Sequence, residues 1–354
     1  FSLLRPTLIA VSVGFILYLN RKYIYDLSVY FLTPDQQLLT LYKEYLFIRM
    51  IGLPAGLLNI VFLGWFFGMQ KTKSVMLQLV IINLMNVIAS LYLAVHLEYG
   101  IFGVALGSVL AQISGLLLSI IIFLNHFKTL NFSSFDLKKI INLNGFLNLF
   151  SISKNLFVRT MLLVSVQAYL IKKSGLIGVD QLATMEILIV IFGLSSYTLD
   201  AFAHAAESTV GVSIGSKNKK NIYKSIKNTT EFALSFSVLI GIFLYITDYY
   251  IINLFTNIPV LQNLTIDLWT LVIITPFISM LAFQLDGIFI GATLAKEMRN
   301  SMILSSLIFY LIIEFIIQDT LNLKNLYSCF LLFLILRGVF LTFYLPRVFK
   351  LIKN

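Results

Sequence analysis

The chain has 354 residues, of which 59% are hydrophobic and 12% charged, and a formal net charge of +10. Soluble domains sit near 45–50% and about 25%, so a water-soluble globule is excluded. The one cysteine, Cys329, leaves no intrachain disulfide and no thiolate metal site, and His96, His126 and His204 are too scattered to hold a metal.

Phe1 is not an initiator methionine, and the first apolar run starts almost at once without a signal-peptide layout. The true N-terminus is therefore expected further upstream. Ten apolar segments follow in order, at about 3–19, 42–68, 74–97, 101–125, 147–171, 178–214, 225–246, 264–291, 301–317 and 325–346. Each is matched to about 30 Å of hydrocarbon as a helix and far exceeds the strands of a membrane barrel. The fold class is all-α and polytopic.

Basic residues alternate between the two sides of this pattern. One side holds Lys71 and Lys73, then Lys128, Lys138 and Lys139, then Lys217, Lys219, Lys220, Lys224 and Lys227, then Lys296 and Arg299, then Arg347, Lys350 and Lys353. The other holds only Arg21, Lys22, Lys43, Lys172, Lys173 and Lys324. The positive-inside rule makes the first side, and both ends of the chain, cytoplasmic. The net charge is then a topology signal, and no nucleic-acid partner is expected. The link at 126–146 carries Ser133, Ser134, Asp136, Lys138 and Lys139 and reads as a short interfacial helix.

An internal repeat is legible. Gly64 and Gly68 close the second segment, Gly287 and Gly291 close the eighth, and Pro54 and Pro276 lie mid-span in the same two segments. Each is followed by a short basic loop. Duplicated lobes with a site between them are a transporter plan.

Ionisable side chains within spans mark functional sites because burying them is costly. Asp200, His204 and Glu207 share one helical face at i, i+4 and i+7. Asp286, Arg159 and Arg337 lie at a similar depth in the inner half, counted at about 1.5 Å per residue. Two readings stand: a structural ion-pair network, or a set in which one acid takes up the coupling ion. His204 is either a pH switch or a hydrogen-bonded interior residue. Glu186 and Gln167 lie toward the outer side. Glu186 either reaches interfacial water or faces a cavity. Asn83 and Asn86 either line a cavity or join helices.

Four stretches together resemble the multidrug and toxic compound extrusion (MATE) transporters, in their DinF-like branch. They are YLFIRMIGLPAGLLNIVFLGWFFGMQ (45–70), GIFGVALGSVLAQ (100–112), LDAFAHAAESTVG (199–211) and LDGIFIGATLAKEMRNSM (285–302). The resemblance covers nearly the whole chain and implies ten helices of a twelve-helix, two-lobe fold. Residues 1–125 would be an incomplete N-lobe (family helices three to six), 126–146 an interlobe linker, and 147–354 the C-lobe (helices seven to twelve). It further implies an N-lobe pocket containing Tyr45, Asn59, Asn86 and Ser108. The family's aspartate four residues after the asparagine is replaced here by Ser90, and the family's first-helix aspartate lies in a helix without a counterpart in this sequence.

The expected function is secondary active efflux, with H⁺ or Na⁺ antiported against small amphipathic or cationic organic compounds by alternating access. No cofactor is expected beyond the coupling ion. The partners are a small-molecule substrate and the lipid bilayer, the chain is taken as a monomer, and the location is the bacterial cytoplasmic (inner) membrane. Rival readings are a lipid or lipid-linked saccharide flippase of related fold and an inactive truncated remnant. An integral-membrane enzyme is disfavoured, because Asp200, His204 and Glu207 have no second histidine or partner motif.

Overall fold

A computed structural model describes residues 3–32, 38–127 and 143–351. Among them are thirteen α-helices, a π-helical turn at Tyr92–His96, a 3-10 turn at Gln318–Thr320 and no strand. The chain forms two compact units, Phe1–Leu147 and Asn148–Asn354.

In the first unit lie α1 (Leu4–Leu19), α2 (Arg21–Leu32), α3 (Leu39–Gly68), α4 (Thr72–Leu91, continued by the π turn) and α5 (Gly100–Phe127). Then come α6 (Leu143–Ile177), α7 (Val179–Gly215), α8 (Lys219–Ile246), α9 (Asp248–Phe255), α10 (Pro259–Asp267), α11 (Trp269–Gly291), α12 (Ala295–Phe315) and α13 (Leu323–Lys350). Eight of these are long and apolar enough to span a membrane: α3, α4, α5, α7, α8, α11, α12 and α13. α1 is apolar but only 16 residues long. α6 has the length, at 35 residues, but carries Lys154, Arg159, Lys172 and Lys173.

Two details depart from the sequence expectation, and a third cannot be compared with it. α2 (RKYIYDLSVYFL) is a separate mixed-polarity helix between the first two expected spans. The eighth segment is broken: Pro259 opens α10, the chain turns at Leu268, and α11 begins at Trp269, whose indole N–H donates to the Leu244 carbonyl at 3.0 Å. Proline favours a first helical turn because its missing N–H costs nothing there. The helix expected within 126–146 falls largely on 128–142, outside the described residues.

α11 is the centre of the second unit, packing on α7, α8 and α13. Of its most apolar window 61% is buried, against 11% for α4, whose Leu84, Val87 and Ile88 are exposed. Large apolar side chains on the outside are what a lipid-facing helix presents. Two large apolar clusters fill most of this unit, with a smaller one at Leu199, Ala233 and Met280. One gathers Val166, Met185, Phe192, Phe309, Tyr327 and Phe333; the other gathers Ala206, Val210, Phe289, Met298, Leu341 and Val348. Along three helices the ionisable residues fall between them: Arg159 on α6, Asp200 and His204 on α7, and Arg337 on α13. A charged layer is thus sandwiched inside an apolar body.

α3 and α11, which carry Pro54 and Pro276 mid-span, end alike. After α3, Met69, Gln70 and Lys71 donate backbone hydrogen bonds to Trp65, Phe67 and Phe66; after α11, Ala292, Thr293 and Leu294 donate to Ile288, Ile290 and Phe289. Gln70 and Thr293 take positive φ of 56° and 57°, closing the last turn in the left-handed region. The glycine pairs differ, however. A Cβ at Gly287 would collide with the Ala203 backbone, and one at Gly291 with the Glu207 backbone, both on α7. A Cβ at Gly64 or Gly68 would meet nothing within 4 Å among the described residues. Only the α11 pair seats a described helix.

Gly287→Ala should lower the thermal unfolding midpoint, at a cost of about 1–3 kcal/mol from overpacking. Gly64→Ala should be neutral or slightly stabilising, through helix propensity. Equal effects of the two changes would contradict the packing difference.

Candidate functional site

The site builds outward from Asp286. α11 carries it into the charged layer 5% exposed, and two guanidiniums reach the same carboxylate oxygen, Oδ2, from Arg159 of α6 and Arg337 of α13. Arg337 is only 2% exposed; its guanidinium lies 5.3 Å from the Phe283 ring centroid, and its backbone carbonyl accepts from the Ser301 hydroxyl at 2.9 Å. A buried charge survives only with such partners. Among the described residues Asp286 Oδ1 and the Nε atoms of both arginines make no hydrogen bond. The knot therefore holds polar capacity facing inward that its own members leave unused.

Asp286 is the one acid of the three expected near Arg159 that binds it. Glu207 instead takes His204 on its own helix, 3.3 Å from Nδ1. Asp200 is half-buried and accepts no hydrogen bond among the described residues, although it lies within the field of Arg159, Arg337, Asp286 and His204. The three-residue face of α7 thus divides into a local pair and a lone acid.

At one end of the unit, Lys173 Nζ stands 2.9 Å from Glu314, which also accepts from the Tyr169 hydroxyl. Beside them Ser165 and Tyr310 share a hydrogen bond of 2.8 Å. At the other end Arg347 pairs with Glu297 at 2.7 Å. Sequence reasoning missed Glu314 because it sits next to the end of its helix and looks like an interfacial residue. Glu186 is exposed, and Gln167 is half-buried.

The first unit holds an uncharged polar network. Asn59, 4% exposed on α3, donates to the Gln112 side chain and backbone carbonyl, each at 2.8 Å. Gln78 of α4 donates to the Asn59 side-chain oxygen at 3.3 Å. Asn86 donates to Ser108 at 3.0 Å, and Ser108 and Ser90 both donate to the Val104 carbonyl, at 3.2 and 3.4 Å. Tyr45 is half-buried and belongs to neither group. Asn83 is exposed and donates only to Leu79 of its own helix, so it joins no second described helix. Gln78 and Gln112 were overlooked, although as single amides in apolar runs they carry the signal that singled out Asn86. No group of three or more His, Cys, Asp or Glu that could hold a metal occurs among the described residues.

The MatE family model matches residues 156–316, from the start of this charged layer to the end of α12. Over 338 residues the chain is 28% identical to DNA damage-inducible protein F of Escherichia coli, covering 96% of this chain and 73% of that protein. The Vibrio cholerae MATE transporter VcmN in its bent form has the same fold, with a TM-score of 0.82 at 13% identity, over 98% of this chain and 78% of that one. A multidrug resistance MATE family transporter in an outward-facing conformation matches with a TM-score of 0.82 at 15% identity, over 99% and 80%. Part of the chain thus matches the MatE family model, the chain has the fold of the MATE transporters, and it is a multi-pass membrane protein.

Asp286→Asn leaves two guanidiniums without their counter-charge, and stranding a buried partner costs about 3–5 kcal/mol. Unfolding midpoints in lipid nanodiscs should show that loss, and the double change Asp286→Asn with Arg337→Met should recover part of it. Additive losses would contradict a shared ion-pair knot.

Proposed function

We propose that this chain works as a secondary active efflux transporter, antiporting H⁺ or Na⁺ against small amphipathic or cationic organic compounds. The observation that carries the reading is the match of residues 156–316 to the MatE family model, in the fold of the MATE transporters and around a buried ion-pair cluster. Alternating access needs a ligand with different affinities for two states. A carboxylate that gains or loses a charge within the layer meets that need, because each charge there changes the stability of the state that buries it. The asymmetry of lysine and arginine supports an inner-membrane location with both ends of this sequence cytoplasmic. A small-molecule cargo, a monomeric state, no nucleic-acid partner and no resident cofactor complete the proposal, and transport is favoured over catalysis. Lipid flipping is less well supported, since the knot's two arginines already share Asp286 and lie close to Asp200.

Full-length protein in liposomes, with an imposed pH or sodium gradient and ethidium as a flat cationic probe, tests the reading. Uptake driven by one gradient is expected; uptake indifferent to both, or movement of a labelled lipid instead, would overturn it. In the same assay Ser90→Ala should leave transport within about twofold, since a long neutral hydrogen bond contributes little and a hydroxyl does not ionise near neutral pH. Abolished uptake in that variant would place the coupling site in the first unit.

A further inference from the structure

We infer that the second unit carries a site for the headgroup of a zwitterionic phospholipid, an ethanolamine phosphodiester, at the opposite end of α7 from Lys217, Lys219 and Lys220. The observation is a cavity of about 530 Å³ at which several helices begin or end. Its lining includes Ile177, the last residue of α6, Gln181 in the first turn of α7, Asp267 at the end of α10 and Leu323 at the start of α13. α11 opens at Trp269, directly after the lining residue Leu268. Since α7, α11 and α13 are spanning helices, the cavity stands where the chain leaves the hydrocarbon. Its volume falls in the range of about 300–1,000 Å³ usual for small-ligand sites. The inference is independent of the antiport reading, for it concerns what the protein holds and not what it moves.

The floor is apolar and continuous with the core. Leu268 and Leu323 are buried and belong to the same cluster as Phe309, Tyr327 and Phe333. Around them stand four polar side chains, Gln181, Asp267, Asn322 and Lys324. The backbone that presents them is tied down. Asn322 caps α13 by accepting from the Asn325 backbone N–H at 2.8 Å, and the Asn325 amide donates to the Thr320 carbonyl at 2.9 Å. The Leu268 N–H closes α10 on the Thr265 carbonyl at 3.2 Å. Gln181 folds over Gly178, where a Cβ would strike its side-chain oxygen. Asp267 and Lys324 place opposite charges on one cavity, and among the described residues neither forms an ion pair, with the other or with any third group. Lys173, at the same end of the unit, is by contrast taken up by Glu314.

A carboxylate and an ammonium held apart over an apolar floor are the complement of a zwitterion with a short chain between its own charges. The primary ammonium of ethanolamine donates to the Asp267 carboxylate. The phosphodiester accepts from the Lys324 ammonium and from the Gln181 amide. Charge-assisted hydrogen bonds of this kind are roughly twice as strong as neutral ones. The glycerol carbons and the first acyl carbons rest on Leu268 and Leu323, where apolar contact is favourable. A choline headgroup lacks the N–H that Asp267 accepts, and a glycerol headgroup brings Asp267 only negative charge. The apolar floor and the position at the ends of spans favour a lipid over a free zwitterion.

Native mass spectrometry of the delipidated full-length protein tests this, in titrations with dioleoyl phosphatidylethanolamine, phosphatidylcholine and phosphatidylglycerol. The first ethanolamine lipid should bind about tenfold more tightly than either other lipid, which is what one further charge-assisted hydrogen bond supplies. Asp267→Asn and Lys324→Gln should each remove that preference. Asp267→Lys should reverse it in favour of phosphatidylglycerol, a gain of binding that a variant merely failing to fold would not show. A photoreactive ethanolamine lipid should label peptides containing Gln181, Asp267 or Lys324. No preference among the three lipids in the wild type, or a preference that all three variants retain, would overturn the proposal. Binding of soluble phosphoethanolamine that depends on Asp267 and Lys324, without any preference among the lipids, would overturn it too, since the ligand would then be a free zwitterion.

Discussion

The second unit depends on one interaction, the shared carboxylate of Asp286 between Arg159 and Arg337. Three helices meet there, and none could bring its charge into an apolar body alone. Replacing such a knot with matched apolar residues often stabilises a protein, so its retention is weak evidence of a stability role. Charge in the middle of a span has more often a working purpose. Here the unused Oδ1 and the two free Nε groups leave the knot able to engage a further polar partner.

Around that knot the packing is arranged to hold two acid-bearing helices at short range. Gly287 and Gly291 let α11 approach the α7 backbone at Ala203 and Glu207. The same contact sets Asp200 and Asp286 in one layer between two apolar clusters. The first unit uses different chemistry for a similar purpose. Asn59, Gln78 and Gln112 link α3, α4 and α5 by amide hydrogen bonds that carry no net charge. The second unit is thus tied by charge, and the first by neutral amides.

The helical membrane fold was legible in the sequence because its signals are long and additive. Runs of apolar residues and the lysine asymmetry each integrate over many positions. Short elements were not: α2 mixes charge and aromatics within twelve residues, and α9 and α10 are 8 and 9 residues long. Within the site, the depth of Arg159, Asp200, Asp286 and Arg337 could be counted from the helix rise. Their azimuth could not, because each span lies free to rotate until its neighbours are known. That is why Asp286, rather than Asp200 or Glu207, emerged as the arginine partner only in three dimensions. The glycine pairs teach the same lesson, with two identical motifs of which one seats a described helix.

The account's central claim is that one buried carboxylate, Asp286, holds the guanidiniums of both Arg159 and Arg337. The most direct measurement is an experimental structure of the full-length protein in lipid that places these side chains. The account predicts both guanidiniums within hydrogen-bond distance of the Asp286 carboxylate. Either arginine paired elsewhere, or Asp286 turned toward lipid, would contradict it.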